Sequence, residues 1–530
     1  MPVSTADAVV VGAGPNGLVA ANALADAGWD VVLVEANDEV GGAVRSAEVT
    51  APGWTTDLFS AFYPLAAASP IIQDLHLEEH GLVWRRAPHV LAHALDDGSA
   101  ALLCSRAEDT AAGLDAEAPG DGDAWMELVE GWDRIRDPLL DALFTPFPPA
   151  SSALRMVRRM GAGGTLDFAR LAVTPSRRIG QERFAGQGAG LLLTGNALHS
   201  DVPPDAAGSG LFGWLLCMLG QDVGFPVPEG GAGELAGALR RRAESRGVRV
   251  LTGTPVTSVT TSGDRATGVR LADGTELRAR RGVLADVPAT TLYRELLADH
   301  PLPAKLHRDL DRFQWDNATV KVNWALDRPV PWTADAARGA GTVHLGVDND
   351  GFVDFAADLS VGRVPQRPFL LFGQMTTSDP SRSPAGTESA WAYTHVPHGE
   401  WGEQQLADHV ERMEDAVERV APGFRDSQVA RHVQGPADLQ GEDASLVGGA
   451  INAGTSALHQ QLVFRPTPGL GRPETPVPGL YLASASAHPG GGVHGACGWN
   501  AARAALGANG LTGGVRRALT RTAWDRLLRT

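Results

Sequence analysis

Three short blocks along the chain share one rhythm of apolar positions, and two longer stretches between them follow another. The first block opens with residues 8–11, an apolar, β-branched run that predicts a buried parallel strand. Leu18, Ala21, Leu24 and Ala25 then recur at helical spacing until Gly28 ends the helix, and residues 31–35 predict a second buried strand. Residues 228–259 read as a glycine turn, an amphipathic helix and two strands. Residues 478–506 read as a strand, a glycine-rich turn and an alanine-rich helix. Between these blocks, residues 69–225 are helix-like, with Trp125, Met126, Leu128, Val129 and Trp132 at helical intervals. Residues 313–396 are strand-rich, most clearly at 319–326, 369–375 and 389–396.

Composition narrows the class. A chain of 530 residues has room for about three compact units, or for two that interrupt one another. Hydrophobic residues at 43% and charged residues at 20% are those of a turn-rich globular enzyme. A formal charge of -17 repels a phosphate backbone and argues against nucleic acid as a ligand. Cys104, Cys217 and Cys497 stand far apart with no C-x-x-C pair, which excludes a disulfide framework and a cysteine zinc cluster and fits a reducing compartment such as the cytoplasm. The apolar run 210–220 is too short to span a bilayer.

The first block carries chemistry. Residues 12–17 read GAGPNG between the first strand and its helix. Gly12 permits the tight turn, Gly14 admits a pyrophosphate to the backbone, and Gly17 lets the helix pack close, with Pro15 and Asn16 at the helix start facing the phosphate charge. Glu35 ends the second strand, where an acid accepts both ribose hydroxyls of an adenosine. Just beyond, Gly41 and Gly42 allow a second close approach and Arg45 supplies a cation. Strand, glycine turn, helix, strand and acid form the opening of a dinucleotide-binding unit.

GAGPNG, Glu35 and the G-G-x-x-R of residues 41–45 resemble the glutathione-reductase-type flavoproteins of the amine oxidase and phytoene desaturase superfamily, in which this segment holds FAD. The resemblance implies an α/β fold. Its Rossmann-type FAD-binding domain would be discontinuous, from residues 1–68, 226–297 and 448–510. An α+β substrate domain, a mixed sheet plus helices over the flavin, would come from residues 69–225 and 298–447, followed by a tail at 511–530. Residues 228–259 are similar to the superfamily's return to the FAD domain, with Val256 where the backbone reaches the adenine.

H-P-G-G-G-V at 488–493 resembles the signature of phytoene dehydrogenase-related proteins, so Gly491, Gly492 and Val493 are expected to pass under a flat ligand. With VPWTA at 330–334, GTVHLG at 341–346 and RPTPG at 465–469, the resemblance extends to the pyridine nucleotide-disulfide oxidoreductase domain-containing protein 2-like group, over the chain to about Leu511. The missing C-x-x-C means that no disulfide chemistry is implied.

The activity implied is that of an FAD-dependent oxidoreductase, a desaturase or dehydrogenase that removes a hydride from a largely apolar small molecule. An amine or porphyrinogen oxidase is one alternative, and a flavoprotein that acts through partner binding is another. GAGG at 161–164 and GQGAG at 186–190 follow no apolar strand and are expected to be loops, so no separate NAD(P) domain is expected. Reduced flavin would pass its electrons to oxygen, a quinone or a protein.

Flavin chemistry needs orientation and at most one base. His488, next to the glycine turn, is either that base or an orienting partner for the loop backbone. Lys321, one of only two lysines, is either aimed at a water near the flavin or solvated on a strand face. His199 and His395 carry weaker signals, and no metal-ligand spacing is present. In the tail, Arg516, Arg517, Arg521, Arg526 and Arg529 surround Val515, Leu519, Ala523 and Leu527, predicting a cationic amphipathic helix that contacts either anionic lipid at a membrane periphery or the protein's own acidic surface.

Overall fold

A computed structural model describes residues 4–469 and 471–528. The apolar run at the N-terminus forms the strand Ser4–Val11, buried in the middle of a seven-stranded sheet between Val31–Val34 and Glu276–Ala285, both parallel to it. Leu480–Leu482 adds to the far side of Glu276–Ala285, again in parallel. The antiparallel strands Val256–Ser262 and Arg265–Leu271 complete that side, and Arg249–Leu251 closes the other. Helix Pro15–Asp26 packs between helices Gly233–Ser245 and Ala496–Asn509. Three segments far apart in sequence thus build one layer.

The second sheet also has seven strands, in the order Gln428–Gln434, Ala318–Leu326, Glu388–Val396, Leu370–Gln374, Ala340–Leu345, His89–Ala94 and Ala100–Leu103. It is mixed, because Ala340–Leu345 runs parallel to His89–Ala94 while the other pairs are antiparallel. Its two faces have different partners. Val320, Val322, Trp324, Phe372 and Ala392 form a core with helix Glu403–Val420, whereas Leu91, Leu371 and Trp391 join the larger core with helices Gly188–Leu198 and Ser209–Asp222.

Several expectations need correction. Residues 69–225 are not helical throughout, because the hairpin His89–Ala94 and Ala100–Leu103 leaves that stretch to join the second sheet. Residues 161–164 are not a loop. They lie within helix Ala150–Val173, which kinks at Gly161 with φ +68°. The loop at 186–190 ends at Gln187, and Gly188 opens a wholly buried helix in which glycine permits contact rather than a turn: a Cβ on Gly195 would stand 2.3 Å from the Nδ1 of His344.

The tail is helical over Gly513–Leu528, but its buried side differs from the expected one. Val515, Leu519 and Leu527 are exposed, while Leu528 is buried and Trp524 packs on Gly469. Arg521 pairs with Asp264 at 3.2 Å and Arg517 donates to the Ala508 carbonyl, so the tail engages the protein's own surface; Arg529 lies outside the described residues. Between the tail and residues 472–481 lies a cleft of about 1230 Å³. Among the described residues, no helix is long and apolar enough to cross a membrane.

Candidate cofactor and active site

The loop between the first strand and helix Pro15–Asp26 is shaped by close approach. Gly12 has φ +90°, and a Cβ there would stand 2.4 Å from the Asp286 carbonyl oxygen; one on Gly17 would stand 2.0 Å from the Gly12 oxygen. Neither position admits another residue without moving backbone. The buried Glu35 carboxylate accepts the amides of Ala13 at 2.7 Å and Asn37 at 2.9 Å, which fixes it across the turn. Residues 251–254 run beside it, with the Glu35 amide donating to Leu251 and the Thr254 amide donating to Glu35, both at 2.8 Å. Val256 starts its strand just beyond this contact.

The double glycine closes over the same turn, since Gly41 donates to the Ala13 carbonyl at 2.8 Å and a Cβ on Gly42 would lie 3.2 Å from the Cα of Gly14. Arg45 clamps it there. Its Nε donates to Gly42 at 3.0 Å, its Nη2 donates to the Glu442 carbonyl at 2.7 Å, and its guanidinium lies 5.2 Å from the Phe59 ring centre.

Asp286 gave no sequence signal, yet its Oδ2 accepts the Gly17 amide at 2.7 Å, with Pro15 and Asn16 just before it at the helix start. Burial pushes the Asp286 carboxyl up to about 8; the carboxylates of Asp443 and Glu35 add to the shift, and the Gly17 amide opposes it. Burial thus favours the protonated form of this acid beside the Gly12–Gly17 turn.

The C-terminal glycine turn sits against a second loop. Gly490 and Gly492 have positive φ, and so does Val493 at +51°, a region that a β-branched residue occupies only at a cost. Gly491 abuts Asn452, whose buried Nδ2 has no hydrogen-bond partner, and Gly492 abuts Leu65. Two side chains pin these loops from behind. Asp316 accepts the amides of Ile451 and Asn452, both at 2.8 Å. The buried Arg465 guanidinium donates to the carbonyls of Asn452, Thr455 and Ala485 at 2.8–2.9 Å. RPTPG was legible as a motif, but nothing in it announced that its arginine is a backbone hub.

His488 spends its ring on the loop. Its Nε2 lies 3.1 Å from the Thr145 carbonyl oxygen, and burial lowers its pKa to about 4, so the ring is neutral and donates from Nε2. The other ring nitrogen, Nδ1, is buried without a hydrogen-bond partner among the described residues. Lys321 is not the solvated strand lysine. It is 3% exposed, and its Nζ donates to the Asp57 carbonyl at 2.6 Å and to the Asn323 side-chain oxygen. Burial lowers its pKa to about 7, against the opposing pull of the Asp57 and Glu442 carboxylates. Trp391 lies beside it, with Nζ 5.5 Å from the ring centre. His395 is buried on the same sheet face, and His199 is half-buried close to it. Among the described residues, no group of three or more His, Cys, Asp or Glu is placed to hold a metal ion.

Thus one end of the site offers a glycine cradle with an anchored acid, suited to a dinucleotide. The other offers a second glycine turn, an orphaned amide donor and a buried amine. Comparison with known proteins agrees. The chain is 30% identical to the pyridine nucleotide-disulfide oxidoreductase domain-containing protein 2 of Mus musculus, over 94% of this chain and 92% of the relative. One component of the limonene dehydrogenase of Castellaniella defragrans is 23% identical over 94% of each chain, and the zeta-carotene-forming phytoene desaturase of Myxococcus xanthus is 26% identical over 92% and 90%. Putrescine oxidase bound to putrescine shares the fold, with a TM-score of 0.59, 18% identity, and 95% and 99% of the two chains covered. Residues 16–506 match the flavin containing amine oxidoreductases, and the protein belongs to that family of oxidoreductases.

Proposed function

We propose that the protein is an FAD-dependent oxidoreductase that takes a hydride from a C–H bond of a largely apolar small molecule. The observation that carries this reading is the buried Lys321, an amine held near neutrality between the second sheet and the nucleotide-binding unit. The residues fit FAD. The Gly12–Gly17 turn would hold the pyrophosphate, Glu35 the adenosine ribose and the backbone at Val256 the adenine. Gly491, Gly492, Val493 and the unpaired Asn452 amide would meet the ring end. Bound there, FAD supplies the hydride acceptor.

The chain's own residues orient the substrate, exclude water and handle a proton. Near pH 7 the Lys321 amine is poised to take or give a proton at Nζ, and its two oxygen partners fix where that nitrogen sits. Trp391 gives the lysine an apolar wall and is itself packed on Phe62, with ring centres 5.9 Å apart. Trp391 and Tyr393 stack on each other at 6.0 Å with planes 17° apart, and the lysine itself lies by the Trp391 ring. The face of the Trp391 ring is thus taken by Lys321 rather than left for a substrate ammonium, which favours C–H over amine oxidation. The relatives named for limonene and zeta-carotene support an apolar substrate.

Anaerobic bleaching of the flavin across a metabolite library tests the reading without assuming an acceptor. Apolar compounds should bleach it, at a rate that rises through a pH of about 7 in the wild type and loses that dependence in Lys321→Met. Bleaching by amines alone would transfer the assignment to an amine oxidase, and no bleaching by any compound would favour the partner-binding alternative.

A further inference from the structure

Behind Lys321, the sheet face turned toward helices Gly188–Leu198 and Ser209–Asp222 is more polar than a hydrocarbon site requires. Strand register sets His344, Leu371, Tyr393 and Lys321 in one row across four neighbouring strands. Residues paired in this way point to the same face, with neighbouring strands about 4.8 Å apart. Tyr393 is therefore adjacent to Lys321, and His344 lies about 10 Å further along. Thr319 and His395 form the next row on the same face.

Two groups on this face are unspent. Tyr393 is enclosed by protein but keeps accessible surface, and its hydroxyl has no hydrogen-bond partner among the described residues. His199, next to the row, uses only Nε2, which lies 2.8 Å from the Nε2 of His344. One of these nitrogens must carry the proton. The Nδ1 of His344 is buried without a partner, in a place where even a Cβ on Gly195 would lie 2.3 Å away. A buried N–H without an acceptor is the rarer arrangement, so His344 carries its proton on Nε2 and donates to His199. His199 then bears its own proton on Nδ1 and keeps accessible surface. Burial holds both rings neutral, lowering His199 to about 3 and His344 well below its ordinary value.

We propose that Tyr393 and His199 together bind a neutral oxygen of the substrate, a carbonyl, hydroxyl or ether, making the substrate an oxygenated small molecule with an apolar body rather than a pure hydrocarbon. Two neutral donors select an acceptor atom. Asp201, which binds Asn317 and lies 4.0 Å from His395, and Asp316 stand nearby and disfavour a carboxylate in the same place. The apolar body has the partly buried Phe62 to lie against, which packs on Trp391 with ring centres 5.9 Å apart. This inference rests on the flavin reading, and it places the substrate's polar group about 5–15 Å along the sheet from the lysine.

The test uses FAD-loaded protein and two matched pairs of probes, limonene with carvone and cyclohexane with cyclohexanone, titrated while the flavin visible spectrum is followed. The ketone of at least one pair should bind about tenfold or more tightly than its hydrocarbon. Tyr393→Phe, which removes a single oxygen, should cut that preference several-fold while circular dichroism stays unchanged. Equal binding of hydrocarbon and ketone, a preference untouched by Tyr393→Phe, or no binding by any probe would overturn the proposal. Protein that takes up no FAD would instead remove the flavin reading on which it stands.

Discussion

The Nζ of Lys321 lies 2.6 Å from the carbonyl oxygen of Asp57, 264 residues earlier in the chain, and this bond joins the second sheet to the segment that follows the Gly41–Gly42 turn. The same Asp57 uses its carboxylate for Arg382 and for the Ala232 amide. One residue thus fixes the amine, the sheet and the return to the first domain.

The burial of Lys321 has a consequence for stability. The folded protein keeps the amine near a pKa of about 7, whereas the unfolded chain takes up a proton near 10.5. A lowered pKa contributes stability above the unfolded value that is lost as pH falls toward the folded one. The stability of Lys321→Met relative to the wild type should therefore rise as pH is lowered from about 10 to about 7 and level off below that. Urea midpoints read this directly, and a difference that stays constant over the range would contradict it.

Arg382 is fully buried, with Asp57 and Asp379 each 2.9 Å away and the Pro228 carbonyl at 3.1 Å. Removing the cation leaves two carboxylates uncompensated. Arg382→Met should destabilise the protein by about 3–5 kcal/mol in urea unfolding, and a loss under about 1 kcal/mol would show that the two acids simply protonate.

Glu35→Gln keeps the side chain's shape but removes its charge and one of its acceptor oxygens. Loss of a charged hydrogen bond to ribose should weaken FAD binding by about 10- to 100-fold, measured by fluorescence titration of the apoprotein. Unchanged affinity would place the ribose elsewhere.

What the sequence made legible was local. Strand, glycine turn, helix and acid occupy residues 4–35 in unbroken order, so periodicity and spacing alone locate Gly12, Gly17 and Glu35. Lys321 stood out because a lone lysine interrupts an apolar strand. The partners of these residues left no such trace, since Asp286 meets Gly17 across 269 positions and Arg465 binds carbonyls through loops with no period. The helix Gly188–Leu198 is buried all round, so it shows no amphipathic stripe, and its glycines read as a loop. The hairpin at 89–103 was hidden for a related reason, because its strand pairs with a segment about 250 residues later.

The C-terminal helix makes a simpler test. Trp524 and Leu528 tie it to the body, and a chain ending at Gly510 loses that burial. Truncation there should lower stability by about 2–4 kcal/mol. An unchanged urea midpoint would mean that the helix is detached in solution.

The central claim is that this chain holds FAD between the Gly12–Gly17 turn and the Gly490–Val493 turn. The most direct measurement is the visible spectrum of the purified protein, followed by chromatography of whatever denaturation releases. The account predicts yellow protein that releases FAD in about equimolar amount, and a Gly14→Trp variant that is colourless although folded. Wild-type protein that is colourless and binds no added FAD would contradict it.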